Sequence, residues 1–220
     1  VGSEMCIRDS YNSERGIPGA IVNNVWRRGE RVWDTNSFFQ GSFVKEVNDQ
    51  FKTQVNAKYA FYRTHYVNND DKLIEVDNLY KQREVYVSTA NMYTIFPFWD
   101  VSMSYDFQWN EMKADMYGFV FPTRFTNLLS IATALRLGKV KLQGSGLATF
   151  VNDRVKEGPA PKARQILTPA VFLSYKPFDK HDFSLRAFYK KTFRMPTFND
   201  LYYADMGNSK LDPELSLIHI

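Results

Sequence analysis

Cysteine and histidine are scarce in this 220-residue sequence, which contains one cysteine, Cys6, and three histidines. A single cysteine cannot form an internal disulfide, so the class of small secreted domains stapled by disulfides is excluded. Long hydrophobic runs are also missing. Leu128–Leu135 (LLSIATAL) is among the most apolar stretches, yet it is far shorter than the roughly 18 residues that a transmembrane helix needs. A protein with helical membrane spans is therefore excluded.

The two ends of the chain do not resemble what lies between them. Met5–Ser10 (MCIRDS) can be encoded by the DNA sequence ATG TGT ATA AGA GAC AG followed by a pyrimidine. The reverse complement of that DNA, translated from its second base, encodes Leu215–Ile220 (LSLIHI). This DNA resembles the transposase-end adapter of sequencing libraries. We predict that residues 1–10 and 215–220 are adapter-derived and that residues 11–214 are an internal piece of a longer gene. The alternative is a pair of natural ends that match by chance.

Basic residues outnumber acidic residues only slightly. The chain has 28 basic and 24 acidic residues. Without Arg8, Glu4 and Asp9 of the adapter-like start, these become 27 and 22, a net charge of +5. A basic excess this small does not indicate a polyanionic partner, and we expect no nucleic-acid partner.

What the sequence has in abundance is alternation of apolar and polar residues. In Val101–Asn110 (VSMSYDFQWN) every odd position is apolar and every even position is polar. Phe51–Tyr62, Val140–Phe150 and Phe183–Phe193 repeat the pattern more loosely, with Phe188 on the polar face of the last stretch and Lys191 on its apolar face. A period of two predicts strands with two unlike faces.

Short and long links alternate between the predicted strands. The short links are Asn48-Asp49, Pro97-Phe98, Gly138 and 177–180, and the long ones are 68–82, 113–121 and 152–164, with a further loop predicted over Tyr11–Asp34. All short turns at one end and all long loops at the other are typical of an outer-membrane barrel. The eight strands are predicted near 35–47, 50–67, 83–96, 99–112, 122–137, 139–151, 165–176 and 181–194.

The predicted fold class is all-β, an antiparallel transmembrane β-barrel of which about eight to nine strands are present. An eight-strand barrel has an interior just filled by side chains, whereas the predicted inward faces here are rich in lysine, amides and hydroxyls. These faces favour a wider barrel with a wet or plugged lumen. Some aromatic residues fall near predicted strand ends, where rings would lie at the headgroup level: Tyr66, Phe98, Trp99, Trp109 and Phe125.

One loop carries a recognisable motif. The run FRMPTFNDLYY at 193–203 is followed by Gly207-Asn208 and by LDPE at 211–214, and SERGIPGA occurs earlier, at 13–20. Pro196 lacks an amide donor and can end a strand and begin a helical turn. These motifs resemble those of TonB-dependent outer-membrane receptors.

The resemblance implies a 22-strand barrel in the outer membrane of a Gram-negative bacterium, with an N-terminal plug domain that this chain lacks. It also implies active import of a scarce nutrient such as an iron chelate, cobalamin or a glycan. The implied partners are the TonB–ExbB–ExbD complex acting through the missing N-terminal region, the small nutrient ligand, outer-membrane lipid and lipopolysaccharide, and a surface lipoprotein. No resident cofactor, metal or catalytic residue is implied.

Candidate ligand-binding residues are the basic, acidic and tyrosine side chains expected to face the lumen or the external loops. An alternative role for these charges is solvation of the loops and contact with lipopolysaccharide. The candidates are Arg27, Arg28, Arg31, Arg63, Arg83, Arg194, Asp200, Tyr202 and Tyr203.

Three other functions are considered. A plug-free porin or diffusion channel would lack the 193–203 motif. A soluble β-sheet module would need a second sheet to cover Phe107 and Trp109. An enzyme would need a nucleophile beside a base, but His65 and His181 fall at opposite predicted ends of the strands and neither has an evident partner. Asp70-Asp71 lacks the additional oxygen ligands of a calcium loop and is expected to be a solvated turn.

Overall fold

The computed structural model describes residues 3–16, 21–22, 25–26, 30–68, 76–158, 160–178, 183–202, 211 and 214–219. The strands are β1 (Ser3–Gly16), β2 (Ile21–Val22), β3 (Val25–Trp26), β4 (Glu30–Asn48), β5 (Phe51–Asn68), β6 (Val76–Phe96), β7 (Trp99–Ala114), β8 (Thr123–Leu137), β9 (Val140–Arg154), β10 (Arg164–Tyr175), β11 (Leu185–Arg194) and β12 (Glu214–His219). One short helix, α1, spans Phe198–Tyr202.

Ten of the strands form one antiparallel sheet in the order β1-β4-β5-β6-β7-β8-β9-β10-β11-β12, and β2 and β3 pair with each other. Apart from the small β2-β3 hairpin, each strand pairs with its neighbours along the chain. Within the described residues β1 and β12 each have one partner, so the sheet is open at both edges. This is one strand more than the upper end of the predicted range of eight to nine.

The outward face of the sheet carries the apolar residues and leaves them exposed. Tyr59 pairs with Phe39 in β4 and with Val85 in β6, and Val87 pairs with Phe107 in β7, so the same face continues from strand to strand. A soluble sheet would cover such residues with a second layer. Exposed large side chains of the outward face include Phe39, Val55, Tyr59, Val87, Met103, Tyr105, Ile131, Leu142, Leu167, Val171 and Tyr189.

The opposite, inner face is polar and less exposed. The Ser42 hydroxyl donates to the Asn56 side-chain oxygen at 2.8 Å, and the Asn56 amide donates to Ser88 at 3.0 Å. Lys58 and Glu84 form an ion pair at 3.0 Å on the same face. The predicted division into an apolar outward face and a polar inner face is confirmed along β5 and β7.

Strand ends differ from the prediction mainly at the end of the sheet where the long links between strands lie, here called the long-link end. The predicted loop Tyr11–Asp34 is wrong at both ends, since residues 11–16 belong to β1 and residues 30–34 to β4. β6 begins at Val76, seven residues before the predicted start. At these positions the outward face mixes polar side chains such as Asp77 and Lys81 with apolar ones such as Leu79, so the strand continues without the alternation that would reveal it.

At the opposite end of the sheet, where the short turns lie, the length of one turn and the start of one strand differ from the prediction. The β8-β9 turn contains two residues, Gly138 and Lys139, and the backbone of Gly138 has a φ of 54°, which glycine adopts without steric cost. β11 begins at Leu185 and not at 181.

The adapter-like stretches take part in the sheet. Residues 3–10 pair with 37–44 of β4, and residues 215–219 pair with 189–193 of β11. Backbone pairing does not depend on where a sequence came from, so the adapter origin of both stretches stays a prediction. No helix within the described ranges is long and apolar enough to cross a membrane.

Candidate functional site

Residues 195–202, here called the mouth cap, fold across the inner face of the sheet at the long-link end. Thr197 precedes α1, and its amide donates to the Asp200 carboxylate at 2.8 Å while the Asp200 amide donates to the Thr197 hydroxyl at 3.2 Å. This reciprocal pairing closes the first turn of the helix, as in a capping box. The amide and side chain of Thr197 hold the pKa of Asp200 below its ordinary value, so this carboxylate is charged at neutral pH.

Arg124 of β8 anchors the mouth cap to the wall. Its Nε and Nη2 donate to the two carboxylate oxygens of Asp153 at 2.6 and 2.7 Å, and its Nη1 donates to the Pro196 carbonyl at 2.7 Å. The guanidinium also lies 5.0 Å from the centre of the Phe198 ring. Only 10% of the Arg124 side chain and 3% of the Asp153 side chain are exposed. Arg124 therefore uses all three nitrogens to join two strands to the cap.

An apolar cluster adjoins this anchor through Phe198. Phe198 and Leu201 of the cap are 7% and 2% exposed and pack with residues from the ends of β6 and β7 and from the 115–122 link. Because the sheet exposes its apolar face, it has no apolar core between layers. This cluster is therefore the principal buried apolar cluster in the described part of the chain. Its other members are Tyr80, Met112, Ala114 and Phe119, with Met116, Val120, Phe121 and Val155 partly buried against them.

Phe121 adopts a backbone conformation that is unusual for a bulky residue. Its φ is 47°, in the left-handed region where residues with a Cβ are disfavoured. Its ring packs edge to face on Phe119 at 5.4 Å, and Lys156 lies 5.6 Å from the ring centre. The cluster thus holds the 115–122 link in a conformation that its sequence alone would not favour.

A polar cavity of about 310 Å³ lies between the mouth cap and the inner face. Amide side chains of β6 and β7 dominate its wall, and Phe198 provides an aromatic surface at its cap side. Amides donate and accept hydrogen bonds, so the cavity can hold a small polar group or water. The residues that line it include Gln82, Glu84, Gln108, Asn110 and Thr126.

The structure separates the predicted site residues into three groups. Arg194 and Asp200 come together at the base of the mouth cap, with their charged atoms 4.0 Å apart. Arg63 and Arg83 lie exposed on the outward face, away from the cavity, and Arg31 forms an exposed ion pair with Glu14 at 3.3 Å.

The remaining predictions fall on parts that the structure does not describe. Arg27, Arg28 and Tyr203 lie outside the described residues, as do Asp70-Asp71 and His181. The backbone of Tyr202 ends α1, but its side chain is outside the description.

His65 has a partner, contrary to the sequence-based expectation. Its Nε2 lies 2.6 Å from an Asp77 carboxylate oxygen, and its ring lies 5.3 Å from that of Trp33. The sequence pattern missed Asp77 because β6 was predicted to start after it. Among the described residues no group of three or more His, Cys, Asp and Glu side chains could hold a metal ion.

Comparisons with known proteins agree with the architecture. The sequence profile described as "TonB dependent receptor-like, beta-barrel" matches residues 8–217. No curated protein sequence matches the chain at a significant level.

Three solved structures share the fold at low sequence identity. The copper transporter OprC superposes with a TM-score of 0.70 at 14% identity over 87% of this chain and 36% of its own. The ferric citrate transporter FecA gives 0.64 at 11%, over 88% and 34%. BauA, the ferric preacinetobactin receptor from Acinetobacter baumannii, gives 0.57 at 11%, over 97% and 41%. The chain therefore spans little more than a third of the length of these structures.

Proposed function

Because the chain belongs to the TonB-dependent receptor-like β-barrel family, we propose that it forms part of the wall of an outer-membrane receptor that actively imports a scarce nutrient. The family match over residues 8–217 is the observation that carries this proposal. The exposed apolar outward face supports it, since lipid is the solvent that such a face requires. The proposed location is the outer membrane of a Gram-negative bacterium.

The proposed substrate class is a metal ion or metal chelate. Of the three similar structures, one is a ferric citrate transporter, one is a ferric preacinetobactin receptor and one is a copper transporter. Cobalamin and glycans are the other nutrients that the resemblance implied. Arg194, Asp200 and the polar cavity under the mouth cap are the parts of this chain that we propose to face the imported ligand.

The complete receptor would contain segments beyond this chain. We propose a 22-strand barrel with an N-terminal plug, energised by the TonB–ExbB–ExbD complex, and a surface lipoprotein as a further partner. The family comprises transporters and receptors and not enzymes. In this proposal residues 11–214 supply wall strands, links and the mouth cap.

Uptake in a Gram-negative host that lacks its own receptors for the test nutrients distinguishes this proposal from a plug-free channel. The complete receptor should accumulate one of a labelled panel of ferric chelates, copper, cobalamin and an oligosaccharide, and accumulation should disappear in the same host without TonB. Equal entry of the nutrient with and without TonB would instead establish a diffusion channel. A host that carries the empty vector is the control for leakage.

A further inference from the structure

A hollow of about 570 Å³ lies on the inner face of the sheet, towards the short turns. Small side chains form its floor, because Ala132 of β8 pairs with Ser145 of β9, and Ser145 pairs with Ala170 of β10. Phe172 and Phe188 pair directly with each other one step nearer the turns and give the hollow an aromatic side. A volume of this size with a largely apolar wall is typical of a small-molecule site. This space is called the turn-end hollow below.

A row of cations borders the turn-end hollow on the side of the short turns. Arg136 of β8 pairs in register with Lys141 of β9. Ser174 of β10 pairs with Lys141 on one side and with Arg186 of β11 on the other, so the row crosses four strands on the same face. Lys190 lies four residues from Arg186, which places it on that face too, and it lines the hollow. All four cationic side chains are exposed.

Only one of these four cations has a carboxylate partner in the described part of the chain. Arg136 and Asp100 form an ion pair at 2.6 Å, and Asp100 is the single carboxylate among the described residues that line the hollow. No carboxylate of the described residues lies within ion-pair distance of Lys141, Arg186 or Lys190. Four cations against one carboxylate leave a local excess of three positive charges.

The arrangement of these charges favours a bound anion. Like charges directly opposite each other destabilise a strand pair, and Arg136 lies opposite Lys141. An anion that contacts both side chains would offset this repulsion. A guanidinium can bind a carboxylate through two parallel hydrogen bonds, and each ammonium adds a point charge. Phe172 and Phe188 offer apolar contact to the carbon skeleton of an organic anion, which a simple inorganic ion would not use.

We propose that the turn-end hollow and its row of cations form a second ligand site on the lumen wall, which binds an anionic metal chelate with carboxylate ligands. The inference rests on the proposed function, because it requires the inner face to line the lumen of a receptor for metal chelates. Ala132 lies eight residues along β8 from Arg124 of the mouth cap anchor, roughly 27 Å at the usual rise. An imported chelate would therefore meet the mouth cap first and the turn-end hollow last.

Magnetic relaxation of a single spin label in the complete receptor, reconstituted in lipid bilayers, tests the site. One preparation carries the label at Ser130→Cys, beside the hollow on the inner face of β8, and a second at Val44→Cys, on the inner face of β4 and far from the hollow. The probes are chromium trisoxalate, a trianionic chelate with carboxylate ligands, and nickel ethylenediaminediacetate, which is neutral. Each probe shortens the relaxation time of a label that it approaches.

We expect the ratio of anionic to neutral relaxation to be about tenfold higher at the Ser130 label than at the Val44 label, at low ionic strength. Relaxation by the anionic chelate should saturate as its concentration rises, because a site has a finite occupancy. This comparison uses the receptor with all its cations in place, so it does not depend on the folding of a charge variant. The triple variant Lys141→Gln, Arg186→Gln, Lys190→Gln should lower the ratio at the Ser130 label to that at the Val44 label.

A matched control removes the same number of lysines and arginines from the outward face. The control variant is Lys45→Gln, Lys81→Gln, Arg154→Gln, whose three cations are exposed. It should keep the tenfold difference between the two labels. Heat-modifiable gel mobility establishes that both variants form barrels.

Equal ratios at the two labels, or equal ratios in the triple and control variants, would overturn the site. Relaxation that rises linearly without saturation would show diffuse attraction only and would also overturn it. Exclusion of both chelates from the Ser130 label would show that another segment of the receptor fills the hollow, with the same consequence. The measurement involves no transport, so a negative result leaves TonB-dependent uptake standing, and a lack of uptake leaves the binding result standing.

Discussion

Replacement of Arg124 by leucine is expected to destabilise the complete receptor by about 3–5 kcal/mol and to free the mouth cap, because it leaves the Asp153 carboxylate buried without its partner. The same change removes the hydrogen bond to the Pro196 carbonyl and the contact with the Phe198 ring. Denaturant unfolding in detergent micelles measures the free energy. Hydrogen exchange of the amides in 197–201 reports whether the cap has detached.

Arg154→Leu is the matched control for this prediction. Arg154 lies on the next strand, is exposed, and contacts the Phe125 ring at 5.4 Å without a buried carboxylate partner. Its removal should cost no more than about 1 kcal/mol. The double variant Arg124→Leu, Asp153→Leu should recover much of the lost free energy, since no unpaired charge remains, while exchange in the cap stays fast. If Arg124→Leu and Arg154→Leu lowered the free energy of unfolding by similar amounts, the proposed role of Arg124 as the anchor of the mouth cap would be contradicted.

Replacement of Ile131 by lysine is expected to cost about 2–4 kcal/mol and to reduce assembly of the receptor in the outer membrane. Ile131 lies in the middle of β8 on the outward face and is 55% exposed. In a soluble protein a lysine at so exposed a position would be nearly neutral, since its ammonium would meet water. In hydrocarbon the ammonium has no such solvent, so the predicted cost arises from the lipid alone.

Ala132→Lys, one residue further along β8, is the control. Ala132 lies on the inner face and lines a hollow of about 570 Å³, where a lysine side chain has room and polar neighbours. We expect this variant to assemble with a cost below about 1 kcal/mol. Heat-modifiable gel mobility of both variants, together with their quantity in outer-membrane fractions, measures assembly. Equal tolerance of lysine at the two positions would contradict a lipid-facing surface.

The sequence predicted the two faces of the sheet but not the contacts made across it. Alternation in Val101–Asn110 is visible because lipid requires apolar side chains at every second position. Where a strand extends past the hydrocarbon, that requirement ends. The residues of β6 from Val76 to Gln82 therefore show no periodicity, and the sequence did not predict this part of the strand. The same reason hid residues 11–16 of β1.

The anchor of the mouth cap was missed because it depends on register. Arg124 and Asp153 are each 14 residues from the Gly138-Lys139 turn, so a two-residue turn places them opposite each other. A turn of one residue, as predicted, would instead pair Arg124 with Asn152. One residue of turn length thus decides whether opposite charges meet, and composition does not reveal it. Lys58 and Glu84 were missed for a similar reason, since the predicted link 68–82 was too long and left the register of β5 against β6 unspecified.

Accessibility of single spin labels along Val101–Asn110 of the complete receptor in lipid bilayers tests most directly whether the outward face meets lipid. Labels at 101, 103, 105, 107 and 109 should collide with molecular oxygen, which concentrates in hydrocarbon, and labels at the five even positions should collide with a water-soluble nickel chelate or be shielded from both. The two accessibilities should therefore alternate out of phase with a period of two residues. Accessibilities that rise and fall together, or odd positions shielded by protein, would contradict the account.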